Sequence, residues 1–481
     1  MATRLDTKTY AGNIINNKLV PTPKTRHSID PATGTPLYEV PVARKEDVDA
    51  AVDAARRSFK SWSKTPFSER AQALLKYADL LEANRDEIQK LLTLEQGKPL
   101  TLSKTEVDCA LTWLRAFATM EIKDEILQED DEKIIYSTYP PLGVCAGIVP
   151  WNWPILLGLG KLGPAVITGN TFIMKPSPYT PYCDLKLGEL AIQAFPPGVV
   201  QVLSGDDNLG PWLTEHPGID KIAFTGSTAT GKLVAASCAK TLKRYVLELG
   251  GNDAAIVCPD VDIDKCLPKI ATLSFLNSGQ ICMLTKRIYI HESIYNEFRD
   301  KMVEFTKTNI RTGNGVEDGV VVGPVQNKMQ FDKVKDMYDQ IDKCKWKTAL
   351  AGSVGESRDG YFITPAIIDN PPEDSRIVVE EPFGPIVPLL KWSDEADVVD
   401  RANALRSGLG ASVWSKDLKR AERMARQLEA GSVWVNSHFD VDPKVPFGGH
   451  KESGIGMEWG MEGLKHYTNS RSLWVWKNVF T

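Results

Sequence analysis

Five short apolar runs recur between residues 143 and 250, at 144–148, 171–174, 199–203, 221–224 and 245–247, and the stretches between them are long enough for crossover helices. Continuous apolar runs of this length, bounded by turn formers, mark strands buried on both faces. Alternation with helices makes the sheet open and mostly parallel, an α/β architecture of the Rossmann-like kind. In such sheets ligands bind beyond the carboxyl ends of the strands. The residues that follow each run are therefore the first place to seek a site.

A second α/β series runs from Gly251 to about Gly449, with strand-like segments at 287–290, 386–390, 411–414 and 432–435. Its loops are marked by Gly313, Gly315 and the pair Pro371 and Pro372. Ahead of the first sheet, Val48, Ala51, Val52, Ala55, Phe59 and Trp62 share one helical face over residues 46–62. A second helix is expected after Thr65 and Pro66, read as N-cap and first helical residue, with Ala71, Leu74, Leu75, Ala78 and Leu81 on one side. Segments 131–139 and 470–477 are strand-rich, belong to neither series, and suit an edge extension that joins subunits.

A length of 481 residues, 42% hydrophobic, supports two or three domains with sizeable cores. With 57 basic against 62 acidic residues the chain has no bulk attraction to nucleic acid or anionic membranes. The eight cysteines lie far apart, with no zinc-ligand spacing, so thiols in a reducing compartment are expected and no metal. The first residues lack the apolar core of a secretory signal, and the longest greasy stretch, 144–167, is broken by Pro150, Asn152, Pro154, Lys161 and Pro164. A cytoplasmic protein without a membrane span is the reading.

The run 171–174 ends in Lys175, Pro176, Ser177 and Pro178, which puts a cation where a ribose or phosphate could be held. The run 221–224 leads into Thr225, Gly226 and Ser227 and then a helical pattern, so first-turn N–H groups could face a diphosphate. Residues 226–232 match most of a P-loop, but Leu233 stands where Ser or Thr must hold Mg²⁺. The G-x-G-x-x-G fingerprint is also missing, so any dinucleotide is held by another arrangement.

Cys282 follows Asn277, Ser278, Gly279, Gln280 and Ile281, a small and polar setting that no other cysteine of the chain has. Asn152 sits between two tryptophans and two prolines, a rigid mounting for an amide donor or simply a proline-fixed aromatic turn. Glu248 lies among apolar residues at a strand end before a glycine pair, where burial would raise its pKa as a general base requires. Glu380 and Glu381 precede a Pro-Phe-Gly-Pro turn, by default a solvated loop.

Taken in order, the segments 150–154, 224–228, 247–252, 279–282, 381–385, 446–451 and 453–456 resemble the signature of the aldehyde dehydrogenase superfamily, over nearly the whole chain. The resemblance implies a non-acylating enzyme that uses NAD or NADP and divides into a dinucleotide-binding domain (1–122 and 142–250), a catalytic domain (251–449) and oligomerisation segments (123–141 and 466–481). Cys282 would be the nucleophile, activated locally, with Asn152 and the Cys282 N–H as oxyanion donors, and Glu248 the base that hydrolyses the thioester. Trp151, Lys175, Ser177, Gly226, Ser227, Leu249, Glu381 and Phe383 would hold the cofactor. Arg115, Trp153, Leu156, Ile281, His438, Phe439 and Phe447 would line the substrate tunnel. Arg115 is either a surface cation or a selector of carboxylate-bearing aldehydes. NAD-selective relatives commonly carry Glu three residues after the lysine; Pro178 stands there instead, with no Arg or Lys following nearby, so NAD is slightly favoured and NADP is open. A homodimer or homotetramer is implied. The competing reading is a thiol hydrolase or acyltransferase without a redox cofactor.

Overall fold

The computed structural model describes residues 5–7, 10, 12–356 and 359–478. Two parallel sheets and one small antiparallel sheet organise the chain. In the first, the strands Val200–Val202, Thr171–Lys175, Val144–Ile148, Lys221–Thr225 and Arg244–Glu248 lie side by side in that order, all parallel. The order reverses at Val144–Ile148, so the crevice for a ligand falls beyond Ile148, between Lys175 and Thr225.

Burial explains why these runs are apolar without alternation: Val144–Ile148, Thr171–Lys175 and Lys221–Thr225 are buried at every position. Helices cover both faces. On one, Pro154–Ile167 is wrapped by Leu100–Phe117, and a Cβ on Gly163 would sit 2.5 Å from the Phe117 ring, so glycine permits the close approach.

Two edges of this sheet come from distant sequence. The hairpin Asn13–Ile15 and Lys18–Val20, turned by Asn16 and Asn17 at φ 51° and 57°, pairs with Val200–Val202. At the other edge Gly454–Ile455 pairs with Arg244–Glu248, setting Gly454 opposite Glu248.

The second sheet runs Thr348–Leu350, Ala366–Asp369, Ile386–Trp392, Thr285–His291, Asp253–Val257, Gly410–Trp414 and Ser432–Val435. Only its first strand is antiparallel. The third sheet pairs Lys133–Thr138 with both Glu125–Glu129 and Arg471–Trp476. Its outer strands expose Ile126, Leu127, Leu473, Trp474, Val475 and Trp476. Among the described residues no helix is long and apolar enough to cross a membrane.

One helix start differs from expectation. The helix begins at Phe67, with Pro66 extended at ψ 149°, and the Thr65 hydroxyl donates back to the Ser61 carbonyl (3.3 Å) rather than capping forward.

Candidate active site

The carboxyl ends of the first sheet open into a cavity of about 760 Å³. Trp151, Lys175, Ser177, Pro178, Gly226 and Ser227 all line it. Lys175 is 7% exposed, and among the described residues its ammonium donates only to the neighbouring Pro176 carbonyl (3.1 Å). Burial, then Arg26, lowers its pKa to about 8, with Asp207 pulling the other way. At the facing strand Gly226 has no room for a side chain, since a Cβ would lie 2.5 Å from the Phe224 ring. Ser227 caps the helix Thr228–Ala239 by accepting from the Thr230 N–H (3.3 Å). Leu233, 72% exposed, adds apolar wall. A buried cation with spare donors, a tight glycine turn into a helix start and an apolar flank fit a dinucleotide. Leu249 is not in the wall: it packs on Gly231, and its N–H donates to the Ser453 carbonyl (2.9 Å).

Phe383 joins this cavity to the thiol. Its ring stands edge-on to Trp151 at 5.3 Å, and the Lys286 ammonium lies 5.2 Å from its centre. Lys286 pairs with the Glu381 carboxylate and donates to the carbonyls of Cys282 (2.9 Å) and Gly251 (3.1 Å). The strand Thr285–His291 and the 381–383 turn are thereby clamped to the Cys282 loop. That loop is unusual in backbone: Asn277, Ser278 and Gly279 follow one another in the left-handed region at φ 52°, 59° and 72°. Such a run persists only where the surroundings fix it. The Ser278 hydroxyl donates to the Gly323 carbonyl (2.7 Å), and the Gln280 side chain bridges the Asn277 carbonyl (2.9 Å) and the Gln326 N–H (2.9 Å).

Cys282 and Asn152 line a second cavity of about 320 Å³, together with Trp153, Leu156, Ile281 and Phe439. The Asn152 amide donates to the Gln280 carbonyl (3.0 Å), and its own carbonyl accepts from the buried Lys98 (2.8 Å). Lys98 also lies over the Trp153 ring at 4.5 Å. The turn is thus aromatic packing and a held amide at once. Glu248 is 3% exposed, with neither carboxylate oxygen hydrogen-bonded. Burial, then the nearby Glu458, raises its pKa well above the carboxylate range, against the pull of Lys161. The ammonium of Lys161 holds Glu458 through both oxygens (2.6 and 2.8 Å).

Local activation of the thiol was expected, and the structure differs. Burial pushes Cys282 up to about 12; Lys286 lowers it, while Glu381, Asp253 and Glu248 raise it. One cation cannot offset desolvation and three carboxyl groups, so the free protein holds the thiol protonated.

Three expected tunnel residues lie elsewhere. Arg115 is on the helix that supplies Thr105 and Cys109 to the cavity, but six residues turn it by about 120° from Cys109, out to Asp79 (3.0 Å) and Glu82 (2.6 Å). His438 is buried beneath, between the Ser412 hydroxyl (2.9 Å) and Asp253 (3.7 Å). Phe447 stacks behind Trp459 at 5.1 Å, and Trp459 forms the wall. Thr105, Cys109, Leu157, Asp440, Val441 and Trp459 were not anticipated; the one-turn spacing of Thr105 and Cys109 was the sequence signal for those two.

The aldehyde dehydrogenase family model matches residues 20–473. A phenylacetaldehyde dehydrogenase from Pseudomonas fluorescens is 39% identical over 464 residues, 94% of this chain and 92% of its own length. The NAD⁺ complex of an aldehyde dehydrogenase from Bacillus cereus superposes with TM-score 0.94 at 34% identity, covering 98% of this chain and 99% of that one. An E. coli NADP dependent enzyme superposes with TM-score 0.95 at 33% identity, covering 98% and 100%. The chain belongs to the aldehyde dehydrogenase family. It is an NAD(P)-dependent enzyme that oxidises an aldehyde to a carboxylic acid, and the hydrolase reading without a redox cofactor has no support among these relatives.

Proposed function

We propose that Cys282 is the nucleophile of this oxidation, Asn152 its oxyanion donor and Glu248 the base that frees the product. The observation that carries the reading is the meeting of the Cys282 thiol and the Asn152 amide in one apolar cavity, with an unpartnered, buried carboxyl group within electrostatic reach. The thiol gives its proton to water as its sulfur bonds the aldehyde carbon. The oxyanion so formed meets the Asn152 amide and the Cys282 N–H, donors fixed in advance and each worth about 10² to 10³ in rate. A nicotinamide dinucleotide would supply the hydride acceptor there, and loss of hydride from the adduct carbon would leave a thioester on Cys282. Glu248, once ionised, takes a proton from water, and the hydroxide displaces the acid from sulfur.

Trp151, Lys175, Ser177, Gly226 and Ser227 hold the dinucleotide in this reading, and Glu381 and Phe383 hold its nicotinamide end. Residues 1–122 and 142–250 form its domain, 251–449 the catalytic domain, and 123–141 with 466–481 the oligomerisation segments. The apolar side chains exposed on the third sheet support a dimer or tetramer. The eight free thiols fit the cytoplasm. Trp153, Leu156, Ile281, Phe439, Val441 and Trp459 favour an uncharged aldehyde, aromatic or branched, and among the described residues no Lys, Arg or His lines this cavity to select a carboxylate. The test is the rise of reduced-nicotinamide absorbance with phenylacetaldehyde, hexanal and succinate semialdehyde, in the parent and in Cys282→Ala. Turnover of the neutral aldehydes that vanishes in the variant supports the reading; succinate semialdehyde as the best substrate contradicts the substrate class.

A further inference from the structure

The proposed chemistry leaves the buried ammonium of Lys286, beside the nucleophile, without a task. Lys286 is the second residue of the strand Thr285–His291, four after Cys282. An ammonium carries three N–H donors, and all three are engaged, by the carbonyls of Cys282 (2.9 Å) and Gly251 (3.1 Å) and by the Glu381 carboxylate. These acceptors lie on three separate segments: the nucleophile loop, the glycine pair that follows Glu248, and the turn that carries Phe383. Glu381 uses Oε1 for this bond. Its Oε2 lies so close to Gly250 that a Cβ there would collide with it, at the wall of a cavity of about 350 Å³ that Thr228 and Gly251 also line. A neutral amide in place of the ammonium would bring two donors, one too few, and an apolar side chain would leave two buried carbonyls unpaired. Lysine meets all three on a slim stem that also carries a full charge.

Burial is the main obstacle to a Cys282 thiolate; Lys286 is the leading group that offsets it, and Glu381, Asp253 and Glu248 add to it. Arg287 and Lys333 are turned elsewhere. Arg287 donates to the carbonyls of Asn252 (2.8 Å) and Ala402 (3.0 Å), and Lys333 to the Glu381 backbone carbonyl (3.2 Å). His438, beneath the loop, is kept neutral by burial, which lowers its pKa to about 3. We infer that Lys286 is a positioning residue of this reaction: it ties the Cys282 peptide to the turn of Glu381 and Phe383 and supplies the positive charge beside which the sulfur turns anionic. This rests on Cys282 as the nucleophile, assigned above, and adds what prepares it.

Alkylation of Cys282 by iodoacetamide in the free full chain, read by peptide mass spectrometry between pH 7 and 9, follows the thiolate fraction and needs neither cofactor nor turnover. In Lys286→Met the Cys282 rate should fall about tenfold or more at each pH, the effect of losing an opposite charge close to an ionising group. In Glu381→Gln, which leaves the ammonium without its counter-charge, the rate should rise about three- to tenfold. The exposed thiol of Cys344 should keep its rate within about twofold in both variants. A clamp with no electrostatic role would loosen the loop in both variants and speed Cys282 alike. A Cys282 rate unchanged or faster in Lys286→Met overturns the inference. So does a rate unchanged or slower in Glu381→Gln, which keeps the inference testable if the lysine variant does not fold. Turnover in Cys282→Ala, measured alongside, separates the two levels. If it vanishes while neither charge variant alters alkylation, the role of Lys286 alone is defeated; if it persists, the nucleophile assignment falls and the inference with it.

Discussion

Replacing Lys98 by Met should destabilise the protein far more than replacing Lys98 and Glu106 together. Both side chains are 0% exposed. The Lys98 ammonium donates to the Glu106 carboxylate (2.5 Å) and the Asn152 carbonyl (2.8 Å). The other Glu106 oxygen accepts from the N–H groups of Ile155 (2.8 Å) and Leu156 (3.2 Å). These are first-turn donors of the helix Pro154–Ile167, whose N-cap Trp153 provides no side-chain acceptor, so Glu106 caps that helix from another one. Lys98→Met strands a buried carboxylate, at a cost of about 3–5 kcal/mol, and leaves the Asn152 carbonyl with only the long contact from the Asn277 amide (3.4 Å), for up to about 1 more. Against a total stability of about 5–15 kcal/mol that is a large fraction. In Lys98→Met/Glu106→Gln the amide oxygen still accepts both N–H groups and no charge is stranded, so about 1–2 kcal/mol should be lost. Urea unfolding followed by tryptophan fluorescence measures all three. The double variant should recover about 2–4 kcal/mol relative to Lys98→Met. A double variant as unstable as Lys98→Met would refute the reasoning. The same single variant should lower kcat through the loosened Asn152 and leave dinucleotide binding intact.

Other consequences are as direct. Alkylation of Cys282 by iodoacetamide in the free protein, read by peptide mass spectrometry, should rise about tenfold per pH unit from pH 7 to 9, because its thiol titrates near 12; a plateau near neutrality would contradict this. Asp253, lifted by burial from 3.8 to about 7, keeps a proton in the folded form that the unfolded chain gives up. Its contribution is therefore complete below about pH 4 and lost as pH rises to about 7, so the Tm of Asp253→Asn relative to the parent should improve from pH 5 to 8; a pH-independent offset would count against it. Arg115→Ala removes only exposed ion pairs, worth under about 1 kcal/mol, and should leave kcat/KM for succinate semialdehyde and phenylacetaldehyde within about twofold; a selective loss for the charged aldehyde would return Arg115 to the tunnel.

The first sheet was legible because its strands are buried on both faces and so are apolar at every position. Strands that lack that signature went unseen. Asp253–Val257 opens on an acid and follows a glycine pair, and Gly454–Ile455 is two residues long; each exists through its partner strand. Cys282, Asn152 and Glu248 stood out because thiol, amide and carboxyl groups at strand ends and in glycine-rich turns are conspicuous. Lys286 did not, since a lysine inside a strand says nothing about the carbonyls and carboxylate it reaches across space. Arg115 failed for a related reason: position on the right helix does not fix the face.

The most direct test of the assigned chemistry is the intact mass of Glu248→Gln after mixing with phenylacetaldehyde and an excess of nicotinamide dinucleotide, with reduced-nicotinamide absorbance followed in parallel. With the base removed, hydrolysis should slow by about 10² to 10⁴. Cys282 should then carry an adduct of the aldehyde mass less two hydrogens, the thioester, with one equivalent of reduced cofactor per active site. Undiminished turnover with no adduct, or an adduct on another cysteine, would contradict the roles given to Glu248 and Cys282.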